Sequence, residues 1–332
     1  MNTATLSVVM ANYNHAKYIE EALKAILSQS YKPLEVIVVD DGSTDDSVNV
    51  IQRFVKKDPV VRLIINEKNM GIFYNANRSL KLAKGDYITF AAADDKVLPG
   101  FFEKSMKMLA EYPDAGLCCA ESAAIDNSTG AIIKRTIDIA SGPSYFSPSM
   151  AAELMRNTSF YIEGRAAVIK RELLIENGSL NPDLKLYSDW LLWLLIAFRH
   201  GICYIPETLT VFRALPDSYF ASELRDEASR YDVIKRLLFM LKSEEYKDVL
   251  FLFRRSCVLN DIFLEGVLSV IMRNPKLWNF LSSSAIRKSL SYNVLNNLSM
   301  FFPPLVKNIY RNARNKKMKS YTKRIVKKAD LA

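Results

Sequence analysis

The 332-residue chain predicts an α/β protein built on a doubly wound, mostly parallel sheet, followed by a C-terminal helical appendix. Three observations point there: continuous apolar runs of strand length, amphipathic stretches of helical period between them, and strict alternation of the two through the first hundred residues. Unbroken rather than alternating hydrophobicity marks strands covered on both faces. Alternation returns each strand to the sheet through a right-handed crossover.

Taken in order, Leu6 to Ala11 (LSVVMA) and Leu34 to Val39 (LEVIVV) read as the first two strands. Between them Ile19, Ala22, Leu23, Ile26 and Leu27 recur at the spacing of one helix face. Asp41-Gly42-Ser43-Thr44-Asp45-Asp46 ends the second strand, and Ser43 with Asp46 has capping-box spacing ahead of a helix carrying Val48, Ile51 and Val55. A third strand (Val61 to Asn66), a third helix (Ile72, Ala76, Leu80, Ala83) and a fourth strand (Tyr87 to Ala91) continue the pattern. After Asp94-Asp95 the rhythm changes. Pro99 opens a helix to about Glu111, and Gly116 to Ala124 with Ile132 to Ile137 flanks an Asn-Ser-Thr-Gly turn as a hairpin. Ser141 to Ser149 reads as a loop, Ser188 to His200 as a helix stopped by Gly201, and Ile202 to Ile205 as a last strand. From about Leu215 the composition is helical.

Charge is unevenly placed. The formal excess of +9 lies entirely between Lys307 and the end, where ten Lys and Arg meet only Asp330. A neutral body argues against a general nucleic-acid-binding face, so no nucleic acid partner is expected, and any anionic partner belongs at the basic tail. Cys118, Cys119, Cys203 and Cys257 form no CxxC and read as buried thiols of a reducing cytosol. The N-terminal residues carry no basic stretch ahead of an apolar one, and no apolar run reaches the ~20 residues that cross a bilayer. A cytoplasmic protein is expected.

Ligands of open parallel sheets bind beyond the C-terminal strand ends. Three polar clusters stand there: Asn12-Tyr13-Asn14, Asp40-Asp41 and Asp94-Asp95. Each of the first two also reads as an ordinary Asx-rich turn. Adjacent Asp94 and Asp95 repel one another, and a hard divalent cation, Mg²⁺ or Mn²⁺, relieves that repulsion while leaving coordination positions for phosphate; the pair also reads as a helix-capping turn before Pro99. Neither GxGxxG nor GxxxxGK[ST] occurs, so no glycine cradle is available for phosphate.

The segments VVMANYNHAKYIEEALKAILSQSYKPLEVIVVDDGSTDDS and NMGIFYNANRSLKLAKGDYITFAAADD resemble the nucleotide-binding half of family 2 glycosyltransferases, with similarity extending over residues 5 to 213. The resemblance implies the GT-A, Rossmann-like form of the α/β fold and a nucleoside-diphosphate sugar donor, a UDP-sugar first among them. Residues 1–213 would form the catalytic domain, split into a nucleotide-sugar-binding half (1–95) and an acceptor half (96–213), with 214–332 helical and ending in the basic tail. Carried over by motif, Ala11 and Tyr13 would border the base, Asp41 would accept from it, Asp94 would lie by ribose and diphosphate, and Asp95 would hold the metal. The family's Asp-x-Asp spacing is absent, since Ala92 and Ala93 precede the acid pair. Asp189 in Tyr187-Ser188-Asp189-Trp190 matches the family's catalytic base; the residue also suits an ordinary first-turn helix acid. Arg78 and Arg213 are candidate diphosphate contacts.

The resemblance further implies inverting transfer of one sugar onto a glycan or lipid-linked acceptor in cell-envelope polysaccharide synthesis. A non-catalytic nucleotide-sugar-binding or scaffold module of the same fold is the alternative. Trp190 and Trp193 are split between sugar stacking and helix burial. His15 and His200 read as a loop residue and a helix C-terminal charge. Leu290, Val294, Leu298, Phe301, Phe302 and Leu305 form an apolar stripe ahead of the basic tail, a design either for peripheral attachment to an anionic cytoplasmic membrane surface or for packing on the catalytic domain with the tail solvated.

Overall fold

β1 (Leu6–Asn12) and β2 (Glu35–Asp40) form where the sequence is apolar without interruption, and all six β2 residues are buried. With β3 (Val61–Ile65) and β4 (Tyr87–Ala92) they make a parallel block in the order β3-β2-β1-β4. Register levels the strand ends: Asn12 pairs with Asp40, and Ala11 with Ala92. That alignment brings all three polar clusters to one edge of the sheet. The helices α1 (Ala16–Leu27), α2 (Ser47–Lys57) and α3 (Ile72–Leu82) connect these strands, and α1 buries Ile19, Leu23 and Ile26 completely or nearly so. Burying each such side chain contributes roughly 1.5–3 kcal/mol.

This computed structural model describes residues 4–125, 129–134, 139–158 and 160–213, and beyond them 219, 223, 227–259, 270–271 and 273–280. The sheet continues through β5 (Lys96–Val97), β6 (Leu117–Ile125), β7 (Ile132–Lys134), β8 (Ser144–Phe146), β9 (Ala167–Lys170) and β10 (Ile202–Arg213). Its order is β3-β2-β1-β4-β9-β6-β10-β5, with β7 on β6 and β8 on β10. β9 is antiparallel to both β4 and β6, so the sheet is mixed on this side. Helices α4 (Phe101–Glu111), α6 (Arg171–Glu176) and α7 (Ser188–His200) accompany these strands.

Three local expectations are corrected. Ser43 caps no helix: its hydroxyl bonds the Asp40 carboxylate at 2.7 Å, while α2 begins at Ser47, whose N–H is met by Asp45 at 2.9 Å. The stretch 141–149 is not all loop, because β8 pairs with β10 and α5 (Pro148–Asn157) starts at its proline. The last strand runs on to Arg213, its pairing with β6 slipping between Ile205 and Thr210 around Pro206, which has no N–H to give.

The chain divides into two units, the sheet unit (Met1–Thr136, Gly142–Ser147, Ile162–Ala221) and a helical one (Ile137–Ser141, Pro148–Tyr161, Ser222–Ala332). The helical unit contains α5, α8 (Glu227–Met240) and α9 (Lys247–Ser256), with Leu154, Met155, Leu237, Leu238 and Phe253 buried and an Arg255–Glu153 ion pair. It therefore draws on residues ahead of 213 as well as after it. The apolar stripe from Leu290 and the basic run from Lys307 lie outside the described residues. Among the described residues no helix is long and apolar enough to cross a membrane.

Candidate active site

Two hydrogen-bond networks shape the β1–β2 end. Buried Asn12 donates to Asp40 at 2.7 Å and to the Ser43 hydroxyl at 3.2 Å. Asn14, at φ +57°, accepts from the Thr44 N–H at 2.8 Å, lacing the two loops together. Asp41 accepts from Asn66 and the Met70 N–H on one oxygen, both at 2.8 Å, and from the Gly71 N–H on the other at 2.9 Å. Burial pulls its pKa upward, but these donors outweigh burial and hold it below the usual carboxylate range. Gly42 follows at φ +73°, where a Cβ would stand 3.0 Å from the Lys68 backbone. Only glycine fits this turn without strain.

Beyond β4 the two acids differ. Asp95 is buried, with one oxygen 3.1 Å from the Arg213 N–H and the other 3.1 Å from Arg165 Nη1. Loss of hydration pushes its pKa up to about 6, against the pull of Arg165. The Asp94 side chain, partly exposed, makes no hydrogen bond among the described residues. Arg213 is committed to protein: it bonds the Asp94 carbonyl and Glu21, and lies 4.8 Å over the Tyr18 ring.

Asp189 opens α7, accepting from the Trp190 N–H at 2.7 Å. Asp189 is exposed to solvent, although neighbouring protein removes part of its hydration. Lost hydration raises its pKa, and the Trp190 N–H and the charge of Arg165 only partly oppose that. Arg165 thus sits within electrostatic reach of both Asp95 and Asp189.

The sequence matches the family model described as glycosyl transferase family 2 over residues 7–178, more than half of the chain. The chain belongs to glycosyl transferase family 2. A Mycobacterium tuberculosis protein described as uncharacterized, MT1568, is 30% identical over 217 residues, covering 63% of this chain and 66% of that protein. A Campylobacter jejuni GalNAc(5)-diNAcBac-PP-undecaprenol beta-1,3-glucosyltransferase is 36% identical over 107 residues, 32% of this chain and 35% of its own. The chain spans between 44% and 66% of the length of the first curated relatives that it matches. Among solved structures, Staphylococcus aureus TarS 1-349 in complex with UDP-GlcNAc shares the fold with a TM-score of 0.64 at 18% identity, over 96% of this chain and 89% of that one.

Set on this glycosyltransferase fold, the expected site residues separate into groups. Ala11 and exposed Tyr13 border the β1 end, with Asp41 beside them but engaged by three donors. Asp94, Asp95 and Arg213 come together at the β4 end, and Arg165 links them to Asp189. Arg78 instead donates to Asn66, supporting the Asp41 network from behind. Trp193 is 2% exposed and packed on Phe90, so it belongs to the core, whereas Trp190 is partly exposed. His200 closes the last turn of α7, where burial, then Lys170, lower its pKa.

Sequence reasoning missed Arg165. It follows Gly164 in a short 3-10 turn, where a Cβ on Gly164 would come 2.8 Å from Trp193 Nε1. Its one available signal was the glycine, which lets the turn pass the buried indole.

Proposed function

We propose that this glycosyltransferase is an inverting enzyme that moves one sugar from a nucleoside-diphosphate donor, first of all a UDP-sugar, to a hydroxyl of a glycan or lipid-linked acceptor. The observation that carries the reading is that Arg165 lies within reach of both Asp95 of the Asp94–Asp95 pair and the solvent-exposed Asp189. Asp189 takes the acceptor's proton as its oxygen attacks the anomeric carbon from the face opposite the leaving diphosphate, which inverts the configuration. A raised pKa suits that task, because the carboxylate is then a stronger base than a fully hydrated one.

The acid pair fits a hard divalent ion. Asp95 is a poorly hydrated carboxylate beside a second whose oxygens are uncommitted, and Mg²⁺ or Mn²⁺ commonly takes one or two carboxylates with phosphate oxygens completing its shell. Asp95, with Asp94 beside it, would hold the ion, which offsets charge on the departing diphosphate when bound. Tyr13, Ala11 and the loop that Asp41 braces would border the base. The undecaprenol-linked acceptor named for the Campylobacter relative, together with the basic C-terminal run, supports an envelope glycan acceptor and peripheral work at the inner face of the cytoplasmic membrane. Product stereochemistry, read by proton NMR of the anomeric signal with the donor found to turn over, tests the central step: an inverted anomer supports single displacement, and a retained one excludes it.

A further inference from the structure

Both oxygens of Asp95 are occupied in this structure, one by the Arg213 N–H and the other by Arg165. The Arg213 N–H belongs to a strand and is fixed in place. Arg165 is different. Its side chain is 40% exposed, it makes this single hydrogen bond among the described residues, and four of its five N–H donors are left over. Its other neighbours are Glu163 at 3.8 Å and the Phe212 ring, over which the guanidinium lies at 4.4 Å.

A guanidinium and a divalent cation compete for the same carboxylate oxygen, both by occupancy and by charge repulsion. Released from Asp95, Arg165 has Glu163 at 3.8 Å and the charge of Asp189 to turn to, besides water. With a diphosphate present it gains charged oxygens that match its planar fork. We propose that Arg165 couples the two ligands: it pairs with Asp95 and exchanges that carboxylate for the donor's diphosphate when a divalent cation binds. The inference rests on the nucleotide-sugar reading above. It makes Arg165, rather than Arg213, the protein cation that meets the diphosphate, because Arg213 is already spent on Glu21 and the Asp94 carbonyl.

Coupling of this kind is reciprocal and measurable without turnover. Free Mn²⁺ is followed by electron paramagnetic resonance during titration of wild type, Arg165→Gln and Arg165→Lys, each alone and with saturating UDP or GDP. Thermal melting first establishes that the variants fold. In wild type the nucleotide should tighten Mn²⁺ binding by at least about tenfold, within the ordinary range of coupling. In Arg165→Gln, Mn²⁺ alone should bind several-fold tighter, and the tightening by nucleotide should shrink at least about fivefold, while Arg165→Lys stays closer to wild type. An unchanged ratio in Arg165→Gln overturns the proposal, as does wild-type nucleotide binding that Mn²⁺ leaves unaffected. Failure of wild type to bind either nucleotide, with or without Mn²⁺, overturns the underlying donor reading and the proposal with it.

Discussion

Asp41, Asp95 and Asp189 are the same side chain in three environments, and the environments assign three roles. Asp41 is buried but saturated with donors, so it stays ionised and organises the loop through Gly71. Asp95 is buried with fewer compensating contacts, so its charge is costly in the absence of a counter-ion beyond Arg165. Replacing it with Asn removes that cost: in the presence of a chelator, Asp95→Asn should melt higher than wild type at pH 7, by up to about 3 kcal/mol from a shift of roughly two pKa units. Calorimetric melting checks this, and a variant less stable than wild type contradicts it. As the proposed base, Asp189 must be ionised to accept a proton. Its raised pKa means that kcat/KM should fall as pH drops through a value above the ordinary aspartate range, and the acid limb should vanish in Asp189→Asn. That variant should lose about 10²- to 10⁴-fold in turnover, the usual contribution of a general base, and keep its donor affinity in titration calorimetry.

At the scale of elements, the turn leading to the proposed base Asp189 is held by a clamp between distant segments. Asn77 on α3 donates to the Leu180 carbonyl at 2.7 Å and accepts from the Leu180 N–H at 3.0 Å. Leu180 lies just ahead of the 3-10 turn Pro182–Tyr187, in which Lys185 adopts φ +47°, and that turn runs directly into α7 and Asp189. Asn77→Ala should therefore cost about 1–3 kcal/mol in urea unfolding, the penalty for stranding a buried backbone pair. Hydrogen exchange should speed up across 178–187 in the variant; unchanged exchange there would show that the turn is held by other contacts. The first four strands and three helices were legible because each satisfies a long pattern, buried on both faces or striped at 3.6 residues. β8 and β9 were not, since Ser144–Phe146 and Ala167–Lys170 are too short to display a period and owe their strand form to neighbours in the sheet. The acid pair and Asp189 could be found by motif. Arg165 could not, because its role arises from a fold that brings residue 165 beside residue 95.

Across the whole molecule, charge is segregated: the formal excess falls in the final segment and the remainder is neutral. Polybasic runs add up to ~1 kcal/mol per residue near an anionic leaflet, screened by salt. Removal of residues 307–332 should thus abolish sedimentation with vesicles rich in anionic lipid while leaving donor binding intact; unchanged sedimentation would remove the membrane reading alone. The central claim is narrower and concerns the sheet unit, where the β4 acids are read as gripping a donor diphosphate through a divalent ion. Titration calorimetry of the full chain against a panel of nucleoside-diphosphate sugars, with Mn²⁺ and with chelator, tests it most directly. The account predicts a heat of binding for at least one donor that requires Mn²⁺ and disappears in Asp95→Asn. No heat for any donor under either condition, or binding indifferent to both the metal and Asp95, would contradict it.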